Sequence, residues 1–95
     1  MQYLSISQIE IFYNVFGGIF MRLRDLREDR DFTQTYVAEH LNIKQSTYSQ
    51  YENGQRQLPL DALIKLARFY GTSTDYILRL TDEPKPYPKS RQMKI

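Results

Sequence analysis

Among the 95 residues, side chains that could do chemistry are densest from Lys44 to Gln50. Two amides, Gln45 and Gln50, stand among the hydroxyls of Ser46, Thr47 and Ser49. Gln45 and Ser49 are four apart, as are Ser46 and Gln50, so a helix would present each pair on one face. A glutamine amide offers a donor beside an acceptor and can pair in a bidentate way with an edge such as that of adenine. The chemistry on offer is hydrogen-bonded recognition. Other chemistries lack their residues. The chain has no cysteine and one histidine, His40, with only Glu39 beside it. No disulfide or thiol nucleophile can be assembled from that set, and a single histidine leaves little for a hydrolytic triad or a histidine-rich metal site. No Gly-rich phosphate loop is present either. No enzyme, no cofactor and no metal are expected.

The elements that would position these groups are short helices. Leu23, Leu26, Arg27 and Arg30 fall on helical spacing over 22–30. Thr33 is a good N-cap for a helix over 34–41, whose inner face is Val37, Ala38 and Leu41, and Asn42 can take the left-handed conformation that stops it. A third helix, about 45–52, buries Tyr48 and Tyr51 and ends at Asn53-Gly54. Pro59 suits the start of a fourth, 59–70, with Leu60, Leu63, Ile64, Ala67 and Tyr70 as its stripe, and Gly71 ends it. Ser73 caps a fifth, about 74–80, with Asp75 in its first turn and Tyr76, Ile77 and Leu80 closing the core. The spacing predicts an all-α domain of five helices over 22–81.

Composition is that of an ordinary soluble domain, 41% apolar and 25% charged. No apolar run reaches the roughly 20 residues of a membrane span, so no membrane partner is expected. The absence of cysteine suits a reducing, cytoplasmic compartment. Net charge is only +2, so any polyanion must be met by local placement of cations. Residues 1–21 carry one acid, Glu10, and no base. Residues 82–95 carry Lys85, Lys89, Arg91 and Lys94 against Asp82 and Glu83, with Pro84, Pro86 and Pro88 between them. That segment reads as an extended basic tail, either a solvated end or an arm reaching a polyanion.

Residues 1–21 form an apolar N-terminal extension. Ser7-Gln8-Ile9-Glu10 matches a capping box, and Ile6, Ile9, Tyr13, Phe16 and Phe20 step by three and four, as in a helix broken near Gly17-Gly18. The alternation Ile9-Ile11-Tyr13-Val15 equally suits a strand. No basic residue precedes the apolar stretch, unlike a signal peptide. Met21 could itself be the natural start.

Residues 33–54 set two helices of about eight residues around a three-to-four-residue turn, the helix-turn-helix plan, with Ala38 small at their crossing. At this point the chain resembles the Cro/repressor-type, or XRE, family of helix-turn-helix regulators, from about residue 22 to residue 82. The marks are Leu26-Arg27, Thr33-Gln34, Ala38, Tyr51-Glu52-Asn53-Gly54, Leu63-Ile64-Lys65-Leu66-Ala67 and Ser73-Thr74-Asp75-Tyr76-Ile77-Leu78. The resemblance implies a five-helix repressor-like domain that binds double-stranded DNA, usually as a homodimer on a palindromic operator. It implies that Gln45, Ser46 and Gln50 read bases, with Thr47 and Ser49 nearby. Gln34 matches a phosphate-contacting position, and Thr33 opens the same helix. Asn53, Gln55 and Arg56 match a loop that approaches the other strand's backbone. Arg27 and Glu52 match a structural ion pair.

The chain departs from the pattern in places. Lys44 stands where the family usually has a Ser or Thr cap, and it can reach phosphate instead. Tyr36 stands where an acid would complete a capping box with Thr33, and it faces either solvent or phosphate. The recognition helix has no arginine, so A·T-containing sites are favoured over guanine reading. The function expected is a transcriptional repressor in the cytoplasm, on the nucleoid. Its rival is an antitoxin-like or other protein-interaction module on the same fold. That rival draws on residues 1–20 and on Ala62, Leu66 and Phe69, a second apolar stripe expected to be covered either by residues 1–20 folding back or by a partner protomer or other protein.

Overall fold

The computed structural model describes residues 21–90. The capping box at Ser7–Glu10, the helix-or-strand alternatives for 1–20, and Arg91 and Lys94 of the tail lie outside them. The described residues fold into five helices with no strand: α1 (Leu23–Glu28), α2 (Gln34–His40), α3 (Gln45–Glu52), α4 (Leu60–Phe69) and α5 (Thr74–Ile77). The all-α, five-helix expectation is borne out. Two helices start on side-chain caps. The Thr33 hydroxyl accepts the Tyr36 N–H at 3.0 Å, and the Ser73 hydroxyl accepts that of Tyr76 at 3.0 Å.

All five helices stop by one device. A residue with positive φ follows each: Asp31 (55°), Asn42 (57°), Gly54 (74°), Gly71 (64°) and Arg79 (64°). After α2, the Asn42 N–H reaches the Glu39 carbonyl and the Ile43 N–H the Ala38 carbonyl. The same crossed pair recurs at Asp31–Phe32, Gly54–Gln55, Gly71–Thr72 and Arg79–Leu80. These are Schellman closures, which satisfy carbonyls the helix end would otherwise strand. They explain why α1 ends at Glu28 and α5 at Ile77, short of the expected 30 and 80. The chain reverses at Asp31 and at Arg79.

The core joins Leu23 and Leu26 of α1, Val37 and Ala38 of α2, Leu41, Tyr48 of α3, Leu63, Leu66 and Ala67 of α4, Tyr70, and Ile77 of α5. Each fully buried aliphatic side chain contributes about 1.5–3 kcal/mol. Ala38, 1% exposed, lets α2 and α3 cross closely.

Two expectations about the core are corrected. Leu66 is fully buried, so it does not belong to an outward stripe, whereas Leu60 is 72% exposed. The inward arc of α4 runs through Leu63, Leu66, Ala67 and Tyr70, and Leu60 sits at the helix's open end beyond it. Of the stripe assigned to a protein partner, only Ala62 and Phe69 stay half-buried. Leu80 is also 72% exposed, because the turn at Arg79 takes it off the α5 stripe.

The tail as far as Tyr87 is pinned along α5. The buried Thr72 hydroxyl donates to the Pro84 carbonyl at 2.6 Å, and the Tyr87 hydroxyl donates to Asp75 at 3.0 Å. Arg22 stacks over Tyr76 at 4.1 Å, donates to the Thr81 carbonyl at 2.6 Å and pairs with Asp82 at 2.6 Å.

Candidate nucleic-acid interface

Helix α3 turns Tyr48 and Tyr51 inward, both buried, and leaves the other side to water. Gln45 and Ser46 are exposed, and Thr47, Ser49 and Gln50 are half-buried. Lys44 occupies the N-cap in extended conformation (φ −72°, ψ 148°) and makes no side-chain cap. The first-turn N–H groups of α3 therefore remain for an outside acceptor, with the helix's positive end behind them.

What holds this helix is one carboxylate. The Glu52 side chain is 0% exposed. Arg27 grips it with two bonds, Nε to Oε2 at 2.9 Å and Nη2 to Oε1 at 2.8 Å, and donates a third to the Phe32 carbonyl at 2.9 Å. Arg24 adds a bond from Nε to Oε1 at 3.3 Å and another from Nη2 to Asn53 Oδ1 at 2.7 Å. The bidentate geometry fixes direction as well as distance. It ties α3 to α1 beside the core cluster that holds Leu23, Leu26 and Tyr48.

The same carboxylate orients two amides. Gln34 Nε2 donates to Glu52 Oε1 at 3.4 Å, and Gln45 Nε2 donates to Gln34 Oε1 at 2.7 Å. An ionised carboxylate only accepts, so Gln34 must turn its nitrogen inward and its oxygen outward. Gln45 must then spend one N–H on that oxygen. It keeps its carbonyl and its second N–H free, a donor and an acceptor at the solvent edge.

Burial pushes the Glu52 carboxyl up, but the hydrogen bonds and charge of Arg27 outweigh it and hold the group below its ordinary value. The hydrogen bonds that Arg27 donates to Glu52 raise its guanidinium in return. Burial raises the Tyr48 hydroxyl, as does the nearby Glu52 charge, and pushes Tyr70 up to about 12. Neither hydroxyl has a hydrogen bond of sound geometry, although both lie close to this charged cluster.

The remaining residues singled out in the sequence fall around α3. Thr33 is exposed at the start of α2; its oxygen accepts from Tyr36, and its O–H is left to donate. Lys44, Gln55 and Arg56 are exposed. The backbone N–H groups of Gln55 and Arg56 both reach the Gln50 carbonyl, at 2.9 and 3.2 Å, which folds that loop back against α3. Asn53 is engaged at both ends, donating to Ser49 Oγ at 3.4 Å and accepting from Arg24. Tyr36 is 49% exposed and packs tilted against the Phe32 ring, 4.7 Å between centres. Sequence reasoning missed Arg24. It stands three residues before Arg27, a spacing that places both on the face turned to Glu52.

Comparison with known proteins follows the same ground. A helix-turn-helix family model matches residues 23–77. An uncharacterised HTH-type transcriptional regulator of Bacillus subtilis, YobD, is 44% identical over 73 residues, covering 77% of this chain and 65% of its own. The HTH-type transcriptional regulator ImmR of Bacillus subtilis is 42% identical over 57 residues, 60% of this chain and 45% of that protein. The cryptic phage CTXphi transcriptional repressor RstR of Vibrio cholerae is 42% identical over 50 residues, 53% of this chain and 45% of the repressor. The chain thus spans 45% to 65% of the length of these relatives. No solved structure matches it significantly.

Proposed function

Starting from the fact that the chain belongs to the helix-turn-helix family, of the Cro/repressor type, we propose that it is a sequence-specific DNA-binding transcriptional repressor. The observation that carries this reading is α3 itself. Its buried side is locked to α1 and α2 through Glu52, while Gln45 and Ser46 at its start stay open to solvent.

In the major groove, Gln45, Ser46 and Gln50 read base edges, with Thr47 and Ser49 beside them. The uncapped first turn of α3 and the Lys44 ammonium hold one phosphate, and Thr33 and Gln34 meet the backbone at the start of α2. Asn53, Gln55 and Arg56 approach the opposite strand, with Arg56 supplying the charge. Two protomers set their recognition helices about 34 Å apart in successive grooves of a palindromic operator. Occupying that site on the nucleoid, in the cytoplasm, blocks polymerase sterically. The protein performs no catalysis in this mechanism.

Footprinting on the DNA upstream of the protein's own gene, at two salt concentrations, tests the reading. A discrete protected site with two-fold symmetry supports it. Uniform, salt-labile protection without a preferred site would sink it.

A further inference from the structure

Aromatic rings from three elements meet on one side of the domain. Phe32 follows α1, Tyr36 and His40 lie one turn apart on α2, and Phe69 ends α4. Phe69 lies 5.5 Å from Phe32, 6.2 Å from Tyr36 and 4.2 Å from His40, ring centre to ring centre. Tyr70 backs the group at 4.9 Å from Phe69. Its outer surface is uncovered among the described residues: Tyr36 is 49% exposed, His40 is exposed, and Phe32, Phe69 and Ala62 are half-buried. A contiguous aromatic surface of this kind marks an interaction site.

We propose that residues 1–20 of the same chain cover this face, with the aromatic residues from Phe12 to Phe20 laid over Tyr36 and Phe69. The proposal is independent of DNA binding. The segment has the right chemistry, since it holds Phe12, Tyr13, Phe16 and Phe20 and one charge, Glu10. It also starts from the right place. Met21 packs against the core, and the chain from there to Phe32 is α1 and its turn, about 15 Å at helical rise. Twenty residues span about 30 Å as a helix and up to about 66 Å extended, so the face is within reach in either form. The tether holds the segment at an effective concentration of the order of millimolar. A second copy is the poorer occupant, because a stable interface takes about 20–30 residues a side and this face offers five.

The chain contains no cysteine, so disulfide trapping in the full-length protein is unambiguous. Gln8→Cys, Asn14→Cys and Gly18→Cys would each be combined with His40→Cys on the face, or with Gln57→Cys before the far end of α4. At least one segment position is expected to close an intrachain disulfide to position 40 ten times faster than to position 57. Equal rates at the two positions, no disulfide, or disulfides formed only between chains would overturn the proposal. A readout free of cysteine is Tyr36 nitration by tetranitromethane. The full chain carrying Phe12→Ser and Phe16→Ser should react at least threefold faster there than the native protein. An unchanged rate counts against the proposal equally.

Discussion

Replacing Glu52 by Gln keeps its size and removes the charge on which Arg27, Arg24 and Gln34 converge. The Arg27 guanidinium, 13% exposed, is then left beside a neutral amide. The expected loss is about 3–5 kcal/mol in urea denaturation, the usual result of breaking one side of a buried pair. Because the folded carboxyl ionises below its ordinary value of 4.5, its contribution is complete above that pH and fades as the pH falls further. The stability gap between native protein and Glu52→Gln should therefore be widest above pH 4.5 and narrow below it. Tyr48 behaves in the opposite sense. Its hydroxyl is raised from 10.0 by burial, so the folded state resists ionisation and stability falls as the pH climbs above 10.0. Tyr48→Phe should lie within about 1 kcal/mol of the native protein at pH 7, since the lost hydroxyl had no hydrogen bond to forfeit. It should also unfold less readily in alkali. Gln45→Ala should cost about 1–3 kcal/mol of binding and relax preference at one base pair per half-site. Equal losses on specific and random DNA would refute its role as a base reader.

The closures at the helix ends govern the element scale. At four of the five, the left-handed residue is Asp, Asn or Gly, which tolerate that conformation in different degrees. Asp31→Gly should relieve strain and raise stability by about 0.5 kcal/mol in thermal unfolding, after the greater freedom of glycine in the unfolded chain is subtracted. At Gly71 an added Cβ would meet nothing within 4 Å, so Gly71→Ala should cost about 1–2 kcal/mol through backbone strain alone. These closures also mark where the sequence could and could not be read. Asn42, Gly54 and Gly71 are legible as stops because their residue types favour positive φ. Asp31 and Arg79 are not, and α1 and α5 look longer in sequence than they fold. The inner face of α2 is legible from Val37, Ala38 and Leu41. The phase of α4 is not, because Leu60 and Leu66 both fit a helical stripe and only the neighbouring elements decide between them. In the interface, the Gln34–Gln45 contact joins residues eleven apart. It depends on the crossing angle of two helices, which no local pattern encodes. The pinning of the tail through Thr72 and Tyr87 is hidden for the same reason.

For the molecule as a whole, a net charge of +2 is too small to hold DNA by itself. Binding must come from cations placed at the interface, which makes its salt dependence a count of them. Arg24 and Arg27 are spent on Glu52, so their charges are largely compensated within the protein. Lys44 and Arg56 are exposed, and in the proposed interface they are the cations that meet phosphates. Each phosphate neutralised contributes about 0.9 to the slope of log K against log salt. A homodimer places every side chain on the duplex twice. Lys44→Gln should therefore flatten the slope by about 1.8 if the protein binds as a dimer, and by about 0.9 if one protomer binds alone. Arg56→Gln should do the same, and the double variant should show the sum, because the two residues lie at opposite ends of α3. Both variants should weaken specific and random DNA alike, unlike Gln45→Ala. Filter binding or anisotropy across a salt series thus reports phosphate contact and binding stoichiometry in one measurement. An unchanged slope would remove Lys44 and Arg56 from the interface, and a change near 0.9 would remove the dimer.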